Sequence, residues 1–282
     1  MKVHHLNCGC MCPLGGKLMD GESTGLRGKL VCHCLLIETN AGLVLVDTGF
    51  GTEDVRNPHA RLAEMFVYMN GPQRDPACTA LAEVQRVGFK AADVRHIVLT
   101  HLDFDHAGGL SDFPNATVHL TRAEAEAGEH RHGVVGKGRY RPKQWTGAER
   151  WKRYVPAGER WFGFDAVRQL DGLPPEILLI PLRGHTEGHA GVAVQTDGGG
   201  WLLNAGDAYF WHEEMRRPDR KCTPGLEAYQ TLMEVDRPAR LRNQQRLREL
   251  SLDHAGEVTV FCSHDLTEYR RLSGHTPQAS LS

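Results

Sequence analysis

The chain has 282 residues, with 33 Lys and Arg against 35 Asp and Glu and a formal net charge of -2. That length can bury a sizeable core as one large domain or two small ones, and the balanced charge gives no electrostatic argument for nucleic acid or a membrane surface as partner. No apolar run approaches the ~20 residues needed to span a bilayer, and Met1-Lys2-Val3-His4-His5 leads into no signal-like stretch, so a cytoplasmic location with reduced cysteines is expected.

Residues 29–37 read as a strand in which Cys32 and Cys34 share a face and His33 points the other way. Cys8, Cys10 and Cys12 alternate too closely for an ordinary zinc pair, and the cysteines read as small buried thiols. The run Leu43-Val44-Leu45-Val46 pairs back through Asn40-Ala41-Gly42 and ends at Asp47-Thr48-Gly49, where Asp47 is placed to support a neighbouring loop. Residues 59–76 suggest a short helix and a Gly-Pro loop; 77–88 suggest a helix, with Leu81, Val84 and Val87 at helical spacing.

The next strand, Val94-Arg95-His96-Ile97-Val98-Leu99, delivers the chain to Thr100-His101-Leu102-Asp103-Phe104-Asp105-His106-Ala107-Gly108-Gly109. Two imidazoles and two carboxylates thus fall within six residues at a strand end, where ligand sites usually lie. Helix capping needs one aspartate, not two beside two histidines, and this donor set suits zinc, iron or manganese.

A strand at 116–120 and a helix at 121–127 follow, with Thr121 and Glu124 read as a capping box. The stretch 128–165 is Gly-rich and basic. Its Trp145, Trp151 and Trp161 either line a substrate pocket or anchor an irregular insert. A strand at 177–182 runs into Gly184-His185-Thr186-Glu187-Gly188-His189, and a hairpin turning through Asp197-Gly198-Gly199-Gly200 ends at Ala205-Gly206-Asp207. Residues 241–252 read as a basic helix with a solvated face. A strand at 258–262 closes on Ser263-His264-Asp265. No repeat or linker divides the chain, which reads as a single domain over 1–282.

His101, Asp103, Asp105, His106, His185, Asp207 and His264 each follow an apolar run, so they can converge on one edge of a sheet core. Seven donors exceed one tetrahedral zinc but suit two divalent ions sharing a carboxylate. The expected division is His101, Asp103 and His185 on one ion and Asp105, His106 and His264 on the other, with Asp207 between them. His189 is read as a structural histidine.

This pattern resembles the metallo-β-lactamase-fold hydrolase superfamily, whose signature loop is His-x-His-x-Asp-His. The resemblance rests on the Leu-Val-Asp-Thr-Gly turn at 45–49, the loop at 100–109, Gly184-His185-Thr186-Glu187-Gly188-His189, Gly206-Asp207 and Ser263-His264-Asp265. It implies an α/β fold built as a four-layer αββα sandwich. Leu81 to Gly109 and Phe113-Pro114-Asn115-Ala116 look most like the N-acyl-homoserine lactone lactonases, which implies a small-molecule lactone or carboxylic ester as substrate. Thioesters and phosphoesters suit the same core, and a carboxylate in the middle of the loop also occurs in the flavodiiron proteins. A homodimer is a further expectation. The implied mechanism uses a hydroxide shared by the two ions, oriented by Asp105, with Tyr209 as an oxyanion or proton donor.

Two departures stand out. Asp103 replaces the family's middle histidine, and Phe210 stands where the lactonases carry a tyrosine three residues past the bridging aspartate. The added anion at Asp103 is expected to shift the first site from zinc toward iron or manganese and to weaken it as a Lewis acid. On that expectation Asp103→His restores a conventional zinc pair.

Overall fold

Alternation along the strands decides what each sheet face covers. A computed structural model describes residues 1–275. β1 (Lys2–Met11), β2 (Leu30–Thr39), β3 (Gly42–Val46), β4 (Val94–Val98), β5 (Thr117–Thr121) and β6 (Arg150–Tyr154) lie in that order in one sheet. β7 (Glu159–Trp161), β8 (Phe164–Gln169), β9 (Ile177–Pro181), β10 (Ala190–Gln195), β11 (Trp201–Asn204) and β12 (Val258–Phe261) form the second, ordered β12-β11-β10-β9-β8-β7.

Leu35 and Ile37 of β2, Val44 and Val46 of β3, Ile177 and Leu179 of β9 and Val192 and Val194 of β10 meet in one core between the sheets. Their sequence neighbours face the other way. Leu36, Leu43 and Leu45 pack beneath the helix Ala80–Arg86, while Leu178, Ile180 and Ala193 share a core with Leu247 and Leu250 of the helix Arg237–Asp253. Strands covered on both faces read as continuous apolar runs, which is how the sequence presents them. The result is the four-layer αββα sandwich. No helix among the described residues is long and apolar enough to cross a membrane.

The segment 128–165 is not an irregular appendage. β6 pairs parallel to β5, and β7 and β8 pair antiparallel at the far edge of the second sheet, so the segment passes from one sheet to the other. Trp145 and Trp151 pack against the first outer core, and Trp161 lies 5.4 Å from Trp201 on the second, which favours the anchoring role over the pocket role. All eight cysteines are free. His33 is bonded to His5 at 2.8 Å and packs 4.6 Å from Phe261, as a structural sheet histidine.

Candidate metal centre

Every residue of the expected donor set stands at the end of a strand, and the two sheets bring those ends together. Thr100 to His106 follows β4, His185 follows β9, Asp207 follows β11 and His264 follows β12. All seven are at most 4% exposed.

Two groups of four donor atoms share Asp207. In the first, His185 Nε2 lies 3.1 Å from Asp103 Oδ2 and 3.4 Å from Asp207 Oδ2, while His101 Nε2 lies 3.5 and 3.7 Å from the same two oxygens. In the second, His264 Nε2 lies 3.1 Å from Asp207 Oδ1, 3.5 Å from Asp105 Oδ2 and 3.3 Å from His106 Nε2. His106 Nε2 is 3.3 Å from Asp207 Oδ1. Ligands ~2.0–2.2 Å from a tetrahedral ion stand roughly 3.3–3.6 Å from one another, so both groups have the size of a coordination shell. His101 Nε2 and Asp207 Oδ1 are buried with no hydrogen-bond partner, a situation that costs about 1–3 kcal/mol per atom unless a cation takes the lone pair. The donors present therefore fit a pair of divalent ions.

The supporting residues hold this geometry. Asp47 takes a left-handed φ of 57°, and its carboxylate accepts from Thr100 N at 2.8 Å and meets His106 Nδ1 at 2.8 Å. A carboxylate behind a ligating imidazole fixes its orientation and tautomer. His189 accepts from Asp207 N at 2.9 Å through Nε2 and faces Leu182 O through Nδ1, so it positions the shared aspartate. Thr121 caps the helix Arg122–His130 by accepting from Glu124 N, but Glu124 does not complete the expected capping box, because its side chain is used elsewhere. Its buried carboxylate accepts from Leu102 N at 2.9 Å, Thr186 Oγ1 at 2.6 Å and Gly188 N at 3.1 Å, which ties the β4 loop to the β9 loop.

Electrostatics divide the centre. Burial would raise the Asp103 carboxyl, but Arg139 and then His101 outweigh it and hold it well below the usual carboxylate range. Burial, followed by the Arg139 charge, lowers His185 to about 4, leaving a neutral imidazole whose Nε2 lone pair faces both the donor group and Arg139 Nη2. In the second group burial would lower His106 and His264, yet Asp207 overrides it and raises both, joined at His106 by Asp47. The Asp105 carboxyl is raised, chiefly by burial.

Two residues at the centre escaped the sequence reading. Arg139, 2% exposed, places Nε 2.9 Å from Asp103 Oδ1 and Nη2 3.2 Å from His185 Nε2. Tyr229 comes from the helix Pro224–Met233, and its ring lies 5.4 Å from Phe210, which itself stacks on His264 at 5.3 Å. Burial and then the carboxylates of Asp105, Asp207 and Asp103 raise the Tyr229 hydroxyl well above the usual phenol range. Tyr209 is placed differently from expectation. Its ring is fully buried in the second outer core, and its hydroxyl donates to Glu268 at 3.0 Å. One step along β11's exit loop reverses the side, so Phe210 rather than Tyr209 faces the donors.

The model of the Metallo-beta-lactamase superfamily matches residues 27–250. A probable metallo-hydrolase of Mycobacterium tuberculosis is 39% identical over 270 residues, covering 96% of this chain and 82% of that protein. An N-acyl homoserine lactonase of Bacillus cereus is 26% identical over 265 residues, covering 91% of this chain and 92% of its own. Among solved structures, an N-acyl homoserine lactone hydrolase with N-hexanoyl-L-homoserine at its catalytic metal center superposes with a TM-score of 0.70 at 24% identity, over 96% of this chain and 95% of that one. With the sandwich and its paired donor groups, these likenesses identify the chain as a metal-dependent hydrolase of the metallo-beta-lactamase superfamily.

Proposed function

We propose that the chain hydrolyses a small lactone or carboxylic ester at a pair of divalent metal ions, with 1–282 acting as one unit. His101, Asp103 and His185 would hold one ion and Asp105, His106 and His264 the other, with Asp207 reaching both. The observation that carries this reading is the division of Asp207, whose Oδ2 belongs to the first donor group and whose Oδ1 belongs to the second. When bound, such ions supply Lewis acidity toward the ester carbonyl and a water nucleophile competent at neutral pH.

The chain's own residues then do the rest. Asp105, itself a donor of the second group, would also orient the attacking water. The Tyr229 hydroxyl, kept protonated by its surroundings, is available to donate to the oxygen that becomes negative as the acyl–oxygen bond breaks. Phe66, half-buried against the buried Phe104 and Phe210, is the part of the apolar cluster open to an acyl chain. Burial of the whole donor set keeps bulk water from competing for the charges formed.

The test is a pH-stat assay with an N-acyl-homoserine lactone, an S-acyl thioester and a phosphodiester, each with and without a chelator. Chelator-sensitive acid release from the lactone, faster than from the other two, is the expected result. Turnover confined to the phosphodiester or the thioester would replace the substrate assignment.

A further inference from the structure

The third donor of the first group is where this chain departs from the superfamily's signature loop, and a buried guanidinium accompanies the departure. Arg139 ends the helix Gly133–Arg139. Its Nη1 donates to His185 O at 2.9 Å and its Nη2 to Met233 O at 3.0 Å, which holds Nε 2.9 Å from Asp103 Oδ1 as an ion pair without the alignment of a hydrogen bond. Asp103 Oδ2 is left for the donor group, 3.1 Å from His185 Nε2. The next residue, Tyr140, bridges its backbone to that of Asp103, which fixes the approach of the whole segment.

A charge count shows what this accomplishes. The signature loop with histidine in the middle leaves two carboxylates among the donors, here Asp105 and Asp207. Asp103 adds a third, and Arg139 cancels it. We propose that Asp103 and Arg139 act as one unit that stands in for a neutral imidazole, with Arg139 a positioning residue that offsets the added anion and keeps the first group from binding its ion too tightly. The proposal rests on the reading that the seven donors hold two ions. It also replaces the expectation that Asp103 by itself weakens the site as a Lewis acid, and that Asp103→His by itself restores a zinc pair. In that variant the guanidinium would face a neutral ring and the incoming cation with nothing to balance it.

The experiment counts zinc ions per chain and measures their affinities by competition with a chromophoric chelator. It compares the parent with Arg139→Met, Arg139→Lys, Asp103→His and Asp103→His/Arg139→Met. Removing the guanidinium should tighten the first ion about tenfold or more and move the acid limb of the rate profile up in pH. Arg139→Lys keeps the charge and should stay near the parent. Asp103→His should weaken the first ion about tenfold or more, and the double variant should recover it. A merely structural arginine gives the opposite sign, with looser zinc in Arg139→Met; that result, or a double variant no better than Asp103→His, overturns the proposal. If Arg139→Met fails to fold by circular dichroism, the Arg139→Lys affinity and the contrast between Asp103→His and the double variant decide. A parent chain that takes up no zinc contradicts the two-ion reading instead.

Discussion

The two donor groups share an aspartate and a similar size, yet they are supported by opposite charges. Behind the second stands a carboxylate, Asp47, 2.8 Å from His106 Nδ1. Behind the first stands a guanidinium, Arg139, 2.9 Å from Asp103. A carboxylate makes the imidazole it touches a stronger donor; a guanidinium makes the carboxylate it touches a weaker one. The histidines differ in the same direction, since His185 is lowered to about 4 by burial and then Arg139, while His106 is pulled well above its usual range against burial by Asp207 first and Asp47 second. The first group has a cation of the protein's own beside its donors, and the second has an anion. The lesson is that a ligand substitution in a metal loop is read correctly only together with the charge behind it.

The largest effect should come from the residue common to both groups. Asp207→Ala should lower kcat/KM about a thousandfold or more and reduce metal content in both halves, while far-ultraviolet circular dichroism stays that of the parent. Loss from one half alone would break the symmetry argued for Asp207. Next, Asp47→Asn should loosen the second ion about 10–100-fold and spare the first, because asparagine tolerates the left-handed backbone but removes the negative charge and one of the two acceptor oxygens. Chelator competition on this variant, set beside Arg139→Met, should give shifts of opposite sign.

Smaller effects separate the two tyrosines. Tyr229→Phe should lower kcat about a hundredfold with both metals retained. Tyr209→Phe should leave kcat near the parent and lower stability by about 1–3 kcal/mol in urea unfolding, because it takes a donor from the buried Glu268. The reverse pattern would return the donor role to Tyr209.

What the sequence disclosed follows from where the donors sit. Each metal-ligating candidate comes at the end of an apolar run, so periodicity and residue type together gave both the strand and the group at its tip. His189 and Asp47 were legible for the same reason. Arg139 was not, because it lies in a Gly-rich stretch with Arg131, Lys137 and Arg141, and nothing local marks which of these basic residues turns inward. The one available signal was the unbalanced charge of Asp103, which calls for a cation without saying where it comes from. Arg240 and Arg248 show the same difficulty. Arg248 reads as part of the solvated helix face and Arg240 lies just ahead of the helix so read, yet both are buried, Arg240 on Glu234 at 2.6 Å and Arg248 on the Glu214 carbonyl at 2.8 Å. Partners distant in sequence decide the burial of charge, and alternation reports only on apolar residues. Tyr209 failed on phase, since a loop after a strand no longer keeps a period of two.

Anomalous diffraction from crystals of the protein loaded with manganese or zinc tests the centre most directly. Two peaks are predicted, one among His101, Asp103, His185 and Asp207 and the other among Asp105, His106, His264 and Asp207, with the Arg139 guanidinium still against Asp103. A single peak, or metal held outside these seven side chains, would contradict the account.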